Sequence, residues 1–111
     1  MEKGLIITLP YHDDTTEYLS QWSYEVIEKA NEKSVKVKKL EGEEANKDSF
    51  EKIVRKLNYR MLLFNGHGSN KTICGHNDKI IIEEGNNDIL LIDKIVYARS
   101  CESASSLEMR A

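Results

Sequence analysis

"RMLLFNGHGS", residues Arg60 to Ser69, holds four apolar residues in a row, Met61 to Phe64, and ends in a histidine set between two glycines. A run this short, without polar alternation, fits a strand buried on both faces, as parallel sheets require. Two other stretches share the plan. "GLIITLP", Gly4 to Pro10, is a mainly apolar run closed by a proline, and reads as the first strand. "KIVYARSCESA", Lys94 to Ala104, is a hydrophobic strand over "KIVYA" that stops at Cys101 and gives way to small and polar residues.

Helical patterns separate these strands. "DTTEYLSQWSYEVIEKANEK" repeats apolar residues at helical spacing, so Tyr18, Leu19, Trp22, Val26, Ile27 and Ala30 are expected on one inward face. Asp14 and Glu17 stand at capping-box spacing at its start. "SVKVKKL" alternates valines with lysines, the pattern of an edge strand whose charges discourage association. A second helix is expected from Asp48, with Glu51 three residues on and Phe50, Ile53, Val54 and Leu57 turned inward. Thr72 to Glu83 reads as a small hairpin about Asn77 and Asp78. "EGNNDILLIDK" reads as one helical turn or a loop, and "ESASSLEMR" as the start of a last helix.

Strands alternating with helices imply a three-layer α/β sandwich around a mostly parallel sheet. With 111 residues, the chain has room for one domain and not for two. Its charged residues are well mixed and the net charge is only −3, which leaves no basic footprint for nucleic acid or an anionic membrane surface. The apolar runs fall far short of a bilayer span. Two cysteines make no disulfide framework, and a cytoplasmic chain with both thiols reduced is expected.

Ligands of open parallel sheets bind beyond the carboxyl ends of the strands. His67 and Cys101 both lie at such ends, and neighbouring strands are about 4.8 Å apart, so the two side chains can face one another. An imidazole and a helix N-terminus both favour the thiolate, which is the nucleophilic form of cysteine. Cys101 is thus the candidate nucleophile, and His67 the general acid that protonates a leaving amine. Gly68 lets a backbone N–H approach a developing oxyanion, with the N–H of Cys101 as second donor.

The pair "LLFNGHGS" and "IVYARSCESA" resembles the corresponding motifs of the caspase-like cysteine peptidases, which include caspases, legumains, gingipains, separases and CHAT-type domains. The resemblance runs from Gly4 onward and implies a Cys–His dyad, His67 with Cys101, that hydrolyses peptide bonds in a peptide or protein substrate. Members of that family carry further strands after the cysteine. Residues 1–111 are therefore expected to form a single caspase-like α/β domain that is incomplete, truncated after the fourth core strand. Ser100 stands where alanine is frequent in the family. The alternative is a caspase-like binding or scaffolding module without catalysis.

If Ile95 to Ala98 forms an open edge, a homodimer through that edge is expected. Asp13 and Asp14 follow the first strand at its carboxyl end and are candidates to meet a basic substrate side chain, against the plainer reading of a helix cap with solvated neighbours. His67, Cys74, His76 and Cys101 are ligand types that zinc accepts, but only Cys74 and His76 are close in sequence, in an unusual C-x-H spacing. Those two read as ordinary hairpin residues. "GHGSNKT" fails the spacing of a phosphate loop. No metal and no cofactor are expected, and His12 has no partner that the sequence names.

Overall fold

Four strands, β1 (Glu2–Leu9), β2 (Lys36–Glu41), β3 (Tyr59–Asn65) and β6 (Ile95–Arg99), form one parallel sheet in the order β2-β1-β3-β6. A separate antiparallel pair, β4 (Thr72–Cys74) and β5 (Ile80–Glu83), lies between β3 and β6 in the chain. The helices are α1 (Asp14–Glu32) and α2 (Lys47–Leu57), with short 3₁₀ turns at Gly42–Glu44, His76–Asp78 and Asp88–Leu91. These elements come from a computed structural model that describes residues 2–12, 14–67 and 71–99. No helix among them is long and apolar enough to cross a membrane.

Successive strand residues point to opposite faces, and the buried side chains divide accordingly into two clusters. Leu5, Ile7 and Leu9 of β1 and Leu63 of β3 pack with Ile27 of α1. Ile6, Leu62, Phe64, Val96 and Ala98 face the other way, onto Phe50 and Val54 of α2 and Ile73, Ile81 and Ile82 of the hairpin. Helix, sheet, and helix plus hairpin make the three layers that alternating strands and helices require. Phe50 meets Phe64 with ring centroids 5.1 Å apart, and both are fully buried. Burial of each such ring stabilises the fold by about 1.5–3 kcal/mol.

The inward face of α1 matches the expected one in its second half, where Val26, Ile27 and Ala30 pack on the sheet, and differs in its first half. Tyr18 is 71% exposed and Trp22 44%, whereas Thr16, Ser20, Ser23 and Ile27 are buried. The spacing of those four, 16, 20, 23 and 27, is itself one helical stripe. Hydroxyls win here because unpaired backbone and amide groups at the strand ends need partners. Ser20 Oγ donates to Pro10 O at 2.6 Å, and Ser23 Oγ donates to Leu19 O at 2.9 Å while accepting from Asn65 Nδ2 at 2.8 Å.

α2 is capped two residues earlier than its acidic residues imply. Asn46, in an extended conformation, accepts from the Ser49 N–H at 2.8 Å, so Asp48 lies inside the first turn. Glu51 does not turn back to the helix start. Its Oε2 accepts from Asn87 Nδ2 at 2.9 Å. Phe50 and Val54 are buried and Ile53 and Leu57 pack beside them, as their spacing predicts. β2 lies at one edge of the sheet, and β6 is the other edge among the described residues. The stretch after β5 contains the single turn Asp88–Leu91.

Candidate functional site

The carboxyl end of β3 is built for a sharp departure. Asn65 is fully buried, its Nδ2 donating to Thr8 O at 2.9 Å and its backbone N–H to Thr8 Oγ1 at 3.1 Å. Gly66 follows at φ +149°, where a Cβ would stand 2.7 Å from the Cys74 carbonyl oxygen. Only glycine lets β4 pass this close. The Cys74 N–H then donates to His67 O at 2.9 Å, which ties the histidine's backbone to the hairpin.

The hairpin is fixed in turn. Asn77 and Asp78 both have φ of 57°, and the Lys79 N–H donates to His76 O at 3.3 Å. Two central residues with positive φ make the type I′ geometry that suits the twist of paired strands, and Asn and Asp tolerate it well. Gly75 packs directly on the chain before α2: the next N–H, of His76, donates to Ala45 O at 3.0 Å, and a Cβ on Gly75 would overlap that oxygen. The turn residues are therefore held in place at the same end of the molecule as His67.

Three segments meet there. His12, just after β1, has Nε2 3.0 Å from Asp78 Oδ1. Its ring lies 6.0 Å from that of His67 and 5.3 Å from that of His76, in both cases edge to face. His76 also packs edge-on against Tyr11 at 5.2 Å, and its Nδ1 accepts the Tyr11 N–H at 3.5 Å. All three histidines of the chain are thus gathered in one cluster with Asp78. One nitrogen from each of His12 and His67 and an oxygen of Asp78 all lie within 4.8 Å of one another.

Cys74 is close in sequence but chemically different. Its thiol is buried, and burial pushes its pKa up, helped by the Asp78 carboxylate and opposed by a hydrogen bond with Thr72. The neutral thiol is favoured, which suits a packing role rather than a nucleophile. A groove lined by Glu43, Asn46, Asp48, His76 and Lys79 runs past the far side of the turn, and His67 does not line it.

Of the residues that the sequence singles out, His67 is half-buried at the end of β3. Asp14 is the first residue of α1. Asp13, Gly68 and Cys101 lie outside the described residues. His12 and Asp78 are the members that sequence reading did not group. A signal existed: "YHDD" directly follows the first strand's proline, and "HND" is the hairpin turn. What was hidden is that the hairpin folds back across the carboxyl end of the sheet. Comparison with known protein families, curated proteins and solved structures finds no match.

Proposed function

We infer that this chain carries the catalytic dyad of a cysteine-type peptide hydrolase, with Cys101 as nucleophile and His67 as general acid and base. The observation that supports the reading is the parallel pairing of β3 with β6, in which Asn65 stands opposite Arg99. In the sequence, His67 and Cys101 each come two positions after this last pair of the two neighbouring strands. The Cys101 thiolate attacks a peptide carbonyl and forms a tetrahedral oxyanion, whose charge is met by the N–H groups of Gly68 and Cys101. His67 protonates the departing amine, leaving a thioester. Water then attacks with His67 as base, releasing the acid and restoring the thiol.

The test uses the chain's own internal control. Iodoacetamide should alkylate Cys101 much faster than buried Cys74 at neutral pH, and His67→Ala should slow the fast site alone. Equal and sluggish labelling of both thiols would sink the dyad. Rapid labelling without cleavage of a diverse peptide library would favour the binding or scaffolding module instead. The Ile95–Ala98 edge, where Tyr97 is 58% exposed, supports a homodimer through paired edge strands. Sedimentation at high concentration that shows only monomer would rule the dimer out.

A further inference from the structure

We propose that His12, His67 and Asp78 form a binding site for a divalent transition-metal ion of the zinc class. The three come from separate segments, the β1–α1 connection, the end of β3 and the hairpin turn, yet their ligand atoms lie within 4.8 Å of one another. A tetrahedral ion with bonds of about 2.0–2.1 Å holds its ligands about 3.3 Å apart. The His12 Nε2 to Asp78 Oδ1 distance of 3.0 Å is already near that value, and a His67 ring nitrogen completes the set within 4.8 Å.

The ligand types choose the ion. Calcium and magnesium take oxygen ligands, and magnesium keeps much of its water. Two imidazoles with one carboxylate suit zinc and its first-row neighbours. Three protein ligands leave one tetrahedral position for water or a small anion. Solvent can reach it, because the Asp78 side chain is 57% exposed while that of His12 is only 9%.

The supports are already in place. The His67 carbonyl is held by the Cys74 N–H, Asp78 sits in a turn closed by the Lys79 N–H, and that turn is clamped to Ala45 through His76. Such restraint of the backbone lowers the ordering that binding must impose. Binding exchanges the His12–Asp78 hydrogen bond for two metal bonds. The site does not depend on Cys101 reacting. It does use His67, so a loaded chain cannot employ that imidazole as an acid or base.

The decisive experiment is a Co²⁺ titration of the full chain, followed by visible absorption, with Zn²⁺, Mg²⁺ and Ca²⁺ as competitors. One Co²⁺ should bind per chain, be displaced by Zn²⁺ and resist Mg²⁺ and Ca²⁺. His12→Ala and Asp78→Asn should each weaken binding by at least about 100-fold, since groups that merely support a ligand are worth about 10–100-fold. Cys101→Ser should bind as the wild type does. Asn is at home at the positive φ of residue 78, so Asp78→Asn keeps the fold, which a thermal melt without metal checks. Zn²⁺ should raise the melting temperature of the wild type and not of Asp78→Asn. Absence of Co²⁺ binding by the wild type, undiminished binding by Asp78→Asn, or loss of binding in Cys101→Ser would each overturn the assignment.

Discussion

The His12 imidazole and the Asp78 carboxylate meet at 3.0 Å across 66 positions of sequence, and their contact joins the first strand's exit to the hairpin turn. Asp78 is largely exposed, so solvent screens the pair and its worth is small. A double-mutant cycle with His12→Ala and Asp78→Ala, read by urea denaturation, should give a coupling of about 0.2–1 kcal/mol. A coupling near zero would mean that the pair adds nothing to the docking already supplied by the backbone bonds of Ala45 and Cys74 and by the burial of Ile73, Ile81 and Ile82.

The polar stripe of α1 should outweigh its large aromatic residues. Asn65→Ala removes the donor to Thr8 O and to Ser23 Oγ and should cost about 1–3 kcal/mol, because buried partners are left unpaired. Tyr18→Ala, on the exposed side of the same helix, should shift stability by no more than about 0.5 kcal/mol. Equilibrium unfolding of the two variants ranks them, and the reverse order would contradict the inward face described above.

Gly75→Ala should be destabilising through contact alone. Residue 75 has ordinary negative φ, so backbone strain plays no part. Its new methyl would collide with Ala45 O and Ile81 Cδ1. Overpacking of this kind costs about 1–3 kcal/mol. Faster amide hydrogen exchange at His76, whose N–H bonds Ala45, is the local signature to look for.

Lys94 gives a pH dependence. Its Nζ donates to Tyr59 O at 2.8 Å, and burial pushes its pKa below the ordinary lysine value. Well below the folded-state pKa both states carry the charge, and its burial cost is fully felt. As pH rises from the folded-state pKa towards the ordinary value, the unfolded chain holds more protons than the folded one, so stability increases. Wild type should therefore gain on Lys94→Met as the buffer becomes alkaline, measured as the difference in urea midpoints. A difference that stays flat or moves the other way would contradict the assigned direction.

Much of this architecture is legible in the residues because buried parallel strands need apolar runs, and Leu5–Ile7, Met61–Phe64 and Ile95–Ala98 supply them. The Asn77–Asp78 turn is legible for a local reason as well, since few residue pairs accept positive φ twice. Only the second half of the α1 face was legible, through Val26, Ile27 and Ala30; in the first half hydrophobic spacing weighs Tyr18 and Trp22 heavily and is blind to the hydrogen bonds that draw Ser20 and Ser23 inward. The cap of α2 was misplaced between two plausible residues, Asn46 and Asp48, which only backbone geometry separates. His67 stood out through its glycines. His12 did not, because its partner arrives from a hairpin whose docking depends on Gly75 and Ala45, and no local pattern records that contact.

The central position of β1 has a consequence for the order in which the chain can fold. Parallel neighbours cannot form a tight hairpin, and β1 takes one partner from residues 36–41 and the other from residues 59–65. During synthesis, the first strand to emerge must wait for roughly half the protein before both its edges are covered. The His12, His67 and Asp78 cluster closes later still, since its last member belongs to a hairpin made after β3. Formation of that cluster should therefore report the late, long-range stage of folding rather than its local beginnings.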